Sequence, residues 1–173
     1  MGLVQRLTDP NIRKHLLRDE GEVIVDEVSH HWVVFVVPVL EYLLAIAVLI
    51  AFPFFPVDLA WLPLLLAFAI AVHATYRSLV EHMDRFVITN MRVFRVNGVF
   101  SQQLATMPLS RILDITVQKP LRGRVLGYGH FVFESAAQAQ GLREIRYVAR
   151  PDARDLAIQR VVQRAGLRGP KVN

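Results

Sequence analysis

WVVFVVPVLEYLLAIAVLIAF (residues 32–52) and LAWLPLLLAFAIAVHATY (residues 59–76) decide how this chain is read. The stretch 32–76 contains no Lys or Arg, and its only acids are Glu41 and Asp58. PFFPVD, residues 53–58, separates the two runs and consists of turn and helix-stop residues. A helix rises about 1.5 Å per residue, so roughly 20 residues cross a hydrocarbon core of about 30 Å. Each run is close to that length, which predicts a transmembrane helical hairpin. The alternative is a hydrophobic hairpin inside a soluble core, and two adjoining runs of span length argue against it.

The bulk composition agrees. The chain has 173 residues, is 53% hydrophobic and has a mean hydropathy of +0.34. That is too apolar for an ordinary soluble domain and too short for a large transporter. The absence of cysteine excludes a disulfide scaffold, a thiolate zinc site and a Cys nucleophile. A cleaved signal peptide is not expected, because the first run begins some thirty residues in and a second run follows at once.

Charge sets the orientation. Residues 77–173 hold 16 of the 20 Lys and Arg, residues 1–31 hold the other four, and the connecting turn has none. The positive-inside rule then puts both termini in the cytoplasm and residues 53–58 outside. Trp32 and Tyr76 fall at the inner interface and Trp61 near the outer one, as an aromatic belt requires. His30 and His31 read as interfacial.

Four segments follow: a cytoplasmic arm (1–31), the hairpin (32–76), a β-rich domain (77–166) and a tail (167–173). In the arm, Leu3, Val4, Leu7, Ile12, Leu16 and Leu17 form an apolar set that suits either a membrane surface or a poorly ordered terminus. GEVIVDEV, around residues 22–28, reads as a first strand leading into the membrane. After Tyr76 the period changes. DRFVIT, MRVFRVN, VFSQQLATM, RILDITVQ, HFVFES and REIRYVAR read as six strands, with Thr89-Asn90 and Asn97-Gly98 as turns between the first three and Asn97-Gly98 as a hairpin signal. In RILDITVQ, strict alternation places Ile112, Asp114 and Thr116 on one face and Leu113, Ile115 and Val117 on the other. KPLRGRVLGYG reads as loop. PDARDLAIQRVVQRAG reads as a closing helix, with Pro151 and Asp152 in its first turn and Gly166 as its stop.

The order of these motifs is informative. A leading strand precedes a two-helix hairpin, and ITNMRVFRVNGVF, MPLSRILDITVQ and GRVLGYGHFVFESA then follow in turn. Over residues 21–166 the chain resembles the bacterial PH-like domain membrane proteins. The resemblance implies a bent antiparallel barrel or sandwich capped by a C-terminal helix, which agrees with the strand and helix reading above. It implies fold and location rather than a chemistry.

No catalytic constellation is visible, and no cofactor is implied. Gly123, Gly127 and Gly129 do not form a dinucleotide fingerprint, and GRVLGYG lacks the Lys-Ser/Thr of a phosphate loop. The histidines lack the H-E-x-x-H spacing of a metal site. The best binding candidates are the cations Arg111, Lys119, Arg122, Arg124, Arg143 and Arg146. Lys119, Arg122 and Arg124 share one segment. Against an anionic leaflet each such residue gains about 1 kcal/mol. The competing reading is that these cations are solvated charges that serve topology. Nucleic acid is not expected, because aromatic residues are not interleaved with the cations as a stacking platform. A protein partner would dock on a strand edge or beside the closing helix.

Inside the hairpin, Glu41 falls about mid-span, where a charged side chain costs about 2.5–3.5 kcal/mol. If the turn pairs residue 52 with residue 58, Glu41 lies opposite Ala69, about one turn from His73. A Glu41–His73 contact across the hairpin follows. The alternatives are a contact with a second copy of the chain or a neutral side chain in lipid. Two function classes result. One is a non-enzymatic membrane-tethered module that binds a protein partner or anionic lipid. The other is an accessory subunit of a transport or envelope-stress system that acts through the hairpin.

Overall fold

Proline placement shapes the two long helices. In this computed structural model, which describes residues 12–135, 142 and 144–164, residues Trp32–Phe35 form a 3-10 turn that leads into α1, Val36–Ala51. Pro38 sits in the first turn of α1, where its missing N–H breaks no hydrogen bond. Pro53 and Pro56 hold two short 3-10 turns, and α2 then runs Trp61–Met83. It continues well past Tyr76, because residues 77–83 contain no helix breaker. Residues 32–82 form one compact unit, and the residues before and after them form the other.

The second unit is mainly β. Its strands are β1 Ile24–Ser29, β2 Arg85–Thr89, β3 Arg92–Asn97, β4 Gln103–Pro108, β5 Ile112–Gln118, β6 Tyr128–Ser135 and β7 Glu144–Ala149. They form two antiparallel sheets, ordered β1-β2-β3-β4 and β5-β6-β7. A short helix α3, Leu121–Leu126, links β5 to β6, and α4, Pro151–Arg164, follows β7. The segment expected as the first strand is therefore β1, and it pairs with β2 across the whole hairpin, Ser29 opposite Arg85.

One core joins both sheets to α4. Phe86, Ile88 and Val93 from the first sheet meet Phe131, Phe133, Ile145 and Val148 from the second, with Ile158, Val161 and Val162 of α4 against them. The Phe86 and Phe133 rings bridge the sheets at 5.6 Å. A smaller cluster lies on the opposite face of the first sheet, where Ile12 packs on Val87, Phe94 and Val96, with Leu16 and Ile24 alongside. Ile12 and Leu16 of the arm thus cover the sheet, which is neither the membrane-facing nor the poorly ordered arm that the sequence suggests. Leu3, Val4 and Leu7 lie outside the described residues. With the core on one side and the arm on the other, β2 is buried on both faces, which is why RFVIT does not alternate.

Three expectations are corrected. Asn97-Gly98 does not make a two-residue hairpin: Asn97 pairs with Gln103, so residues 98–102 form the connection, with Gly98 at φ +104°. The β5 faces do not alternate strictly. A bulge between Ile112 and Asp114 switches sides, so Ile112 is buried in the same core that Ile115 and Val117 pack against. KPLRGRVLGYG is not all loop, since its middle is α3. At the entry to the hairpin, His30 and His31 are held within the β-unit. The His30 side chain is only 10% exposed, 3.6 Å from Asp84, and the His31 N–H donates to the Tyr147 carbonyl at 2.7 Å.

Candidate functional site

The structure divides the predicted cations among separate elements. Lys119, at the end of β5, is ion-paired with Asp152 in the first turn of α4. Arg146 on β7 forks onto Glu144 at 2.8 and 3.0 Å. Arg111 is exposed on the short 3-10 turn, Leu109–Arg111, between β4 and β5. Arg143 lies outside the described residues. Arg122 and Arg124 are exposed on α3 with no ion pair among the described residues. Of the basic segment Lys119–Arg122–Arg124, one member is neutralised and two remain available.

Local sequence explains how α3 is held. Pro120 precedes it, and Gly127 ends it at φ +82°, with its N–H on the Gly123 carbonyl at 2.8 Å. Gly123 is buried against the backbone, and a Cβ there would stand 2.4 Å from the Tyr128 carbonyl oxygen. The side of α3 that carries Gly123 is therefore pinned to the start of β6. Leu121, Val125 and Leu126 are left exposed beside the two arginines. Helix α3 and its apolar side chains escaped the sequence reading.

A second assembly surrounds the ITNMR turn. The Thr89 hydroxyl accepts the N–H groups of Met91 and Arg92 at 3.2 and 3.0 Å, which closes the β2–β3 turn. It also lies 2.8 Å from Glu22 Oε1. Glu22 is fully buried at its side chain and takes Arg92 Nε at 2.9 Å, Arg92 Nη2 at 3.1 Å and the Leu17 N–H at 2.7 Å. Asn90 accepts the Val23 N–H at 2.8 Å and donates to the Gly21 carbonyl at 3.2 Å. Arg92 further donates to the His15 carbonyl at 2.5 Å and stacks over Phe94. Burial alone would raise the Glu22 carboxyl. Hydrogen bonds from Arg92, Leu17 and Thr89, with the Arg92 charge, outweigh that and hold it below its ordinary value of 4.5. The assembly fastens the arm and β1 to the sheet, a structural role for a motif whose Thr-Asn pair is legible and whose Glu22 partner is not.

A third group lies where the chain leaves the β-unit for the hairpin and returns to it. Asp84 accepts Arg95 Nε at 2.8 Å and Nη2 at 2.5 Å, with His30 beside it. Nearby, the His31, Tyr128, His130 and Tyr147 rings pack at centroid distances of 5.2–5.8 Å. The His130 Nδ1 accepts the Tyr147 N–H at 3.0 Å, so its neutral ring carries the proton on Nε2. Burial pushes His130 below its ordinary value, while Glu144 pulls it up and Arg146 pushes it down.

Within the hairpin, Glu41 is reached from α2 by His73, Nδ1 to Oε2 at 3.2 Å, and by Arg77, Nη1 to Oε1 at 2.9 Å. The Tyr42 and Thr75 hydroxyls meet at 2.7 Å. Arg77 was not foreseen. The helices end at Ala51 and resume at Trp61, so the connection is longer than the turn assumed, and Glu41 faces the residues around 73–77 rather than Ala69. The groove beside α4 also exists. It is lined by Val25, Asp26, Asn90, Ala157, Arg160 and Arg164 and holds about 480 Å³.

The comparisons with known proteins agree with this architecture. A family model described as the bacterial PH domain matches residues 32–165, which takes in the hairpin, both sheets from β2 onward and α4. No curated protein and no solved structure matches the chain. With two antiparallel sheets closed by a terminal helix behind two long apolar helices, and with a family match over most of its length, this chain belongs to the bacterial PH domain family.

Proposed function

We propose that this chain is a membrane-anchored, non-enzymatic binding module. In this reading the hairpin crosses the cell membrane twice, and both termini and the PH-like unit lie on the cytoplasmic side. The observation that carries it is where the apolar surface sits. The most apolar windows of residues 32–54 and 57–83 have mean hydropathies of 2.7 and 1.9, yet only 11% and 17% of them is buried. A core helix of a soluble protein would be mostly buried. A solvent-facing surface this apolar has lipid as its natural environment. The cations supply the orientation, since 16 of 20 follow residue 76 and none lies in the turn.

The PH-like unit would act by binding, with anionic lipid headgroups or a protein partner as its ligand. A second reading takes the hairpin as the working part, an accessory subunit of a transport or envelope-stress system. Its support is Glu41, a carboxylate held within an apolar span by two side chains of the other helix. It differs in requiring a membrane partner that copurifies at fixed stoichiometry.

The native chain has no cysteine, so topology is directly testable. Phe55→Cys should react with a membrane-impermeant maleimide applied to intact cells. Gln102→Cys, on the exposed β3–β4 connection, should react only after permeabilisation. The reverse pattern would overturn the orientation, and labelling of both in intact cells would overturn the double crossing.

A further inference from the structure

We propose that α3 is a second membrane contact, an apolar and cationic knuckle through which the β-unit rests on the headgroup layer of an anionic bilayer. The proposal builds on the membrane-anchored reading and names the surface and the ligand it adds.

Three observations converge on α3. The first is exposure. Leu121 is 79% exposed, Val125 87% and Leu126 41%, on a helix of only six residues. Large side chains so placed lose nothing but water when they are covered, and a cluster of them marks an interaction surface. The second is charge. Arg122 and Arg124 alternate with these apolar side chains, and no acid lies on the helix. Apolar side chains that reach the acyl boundary, flanked by cations at headgroup level, are the chemistry of an interfacial helix.

The third is position within the β-unit. Tyr128, two residues past the end of α3, packs its ring on His31 at 5.7 Å. His31 is the last residue of the β-unit before Trp32 starts the hairpin. The returning chain arrives at the same place, since Asp84 lies 3.6 Å from His30. Helix α3 therefore belongs to the pole of the β-unit from which the chain departs for the bilayer. It is also preformed: Gly123 seats it on the Tyr128 carbonyl and Lys119 just before it is tied to Asp152, so docking need not order it.

A bilayer fits α3 better than a protein does. A six-residue helix is about 9 Å long. A stable protein interface needs about 800 Å² and roughly 20–30 residues from each partner, and α3 has six residues. A bilayer asks for no shape complementarity, and the hairpin already supplies proximity.

The test uses the full-length protein in vesicles of phosphatidylcholine alone and in vesicles that also contain phosphatidylglycerol. Val125→Cys and, separately, Leu65→Cys on α2 carry an environment-sensitive dye, with a lipid-borne quencher in the bilayer. Leu65 should be quenched in both vesicle types, and Val125 strongly only in the anionic ones. Arg122→Ser with Arg124→Ser should lower the docked-to-undocked ratio at Val125 about 30-fold. Leu121→Ser should lower it further, which excludes docking by the dye alone. Salt near 1 M, where the Debye length is about 3 Å, should release the contact. If Leu65 is quenched and Val125 is not, the knuckle proposal fails and the anchored reading stands. If Leu65 is not quenched, both fail. Equal quenching of Val125 in neutral vesicles overturns the role of the arginines. Shielding that appears only at high protein-to-lipid ratio assigns the surface to a second copy and overturns the proposal.

Discussion

In the β-unit Phe131 is fully sealed and Phe86 is 2% exposed, whereas in the hairpin Phe68 is 68% exposed and Ile50 67%. The two units draw on the same apolar residue types and place them on opposite sides of the chain. The carboxylates repeat the contrast. Glu22 is enclosed by donors from three segments of the β-unit, while Glu41 is reached from one helix by two long side chains that remain largely exposed. A sheet sandwich makes its own apolar interior, so its side chains are held by one another. A two-helix hairpin has too little bulk for an interior, and its apolar surface needs a solvent that accepts it. The apolar side chains of one unit are thus covered by one another, and under the proposed membrane reading those of the other are covered by lipid.

Truncating one aromatic in each unit probes this contrast most strongly. Phe131→Ala should destabilise the β-unit by about 3–5 kcal/mol, as for a buried aromatic that leaves a cavity. Phe68→Ala should leave β-unit stability unchanged. Denaturant melts of the detergent-solubilised protein, followed by hydrogen exchange on β6 and on β2, give both numbers. Comparable losses from the two changes would mean the units are not independent.

The two arginine–glutamate pairs come next. Arg92→Ala leaves the Glu22 carboxylate buried without its principal partner and should cost about 3 kcal/mol. Arg77→Ala removes one of two Glu41 partners in the other unit, where His73 stays at 3.2 Å, and should leave β-unit stability unchanged. An Arg92→Ala loss no larger than that of Arg77→Ala would remove Glu22 as the fastener of the arm.

The smallest effect is in pH. Glu22 has a folded value below its unfolded one, so its contribution is complete above about pH 4.5 and is lost as pH falls through the lower folded value. His130 is likewise depressed, so its contribution is complete above about pH 6.5 and declines below that. Stability should therefore fall in two steps on acidification. Glu22→Gln should remove the lower step only, and His130→Asn the upper only. A single step that survives both substitutions would trace the pH dependence to other groups.

Much of this architecture was legible because its signals are local. The two apolar runs, the strand period from DRFVIT onward and the Pro151-Asp152 helix start are all set by neighbours within a few residues. Pairings across long separations were not legible. Thr89 and Asn90 read as a turn, but Glu22 precedes them by a whole hairpin, and nothing in the alternation of GEVIVDEV marks that carboxylate as buried. The bulge after Ile112 moves a side chain between faces through one backbone irregularity that composition does not encode. Helix α3 was hidden by its glycines, which usually disfavour a helix interior. Here Gly123 is required by close approach to Tyr128, and Gly127 by its left-handed conformation. The basic segment was seen as a cluster, but the partner that neutralises Lys119 sits on another element.

The pairing of β1 with β2 ties closure of the sheet to the path of the hairpin. These strands are neighbours in one sheet, yet the whole of residues 30–84 is threaded between them. Under the proposed topology β1 is synthesised first and waits on its side of the bilayer, its edge unmatched. It finds β2 only if the intervening chain ends on the side where it began. A chain that inserted one helix and left the other behind would strand β1 and β2 on opposite sides of the membrane, and no sheet could close. A completed sandwich then excludes an odd number of crossings, and a molecule threaded that way would present the open edge of β2.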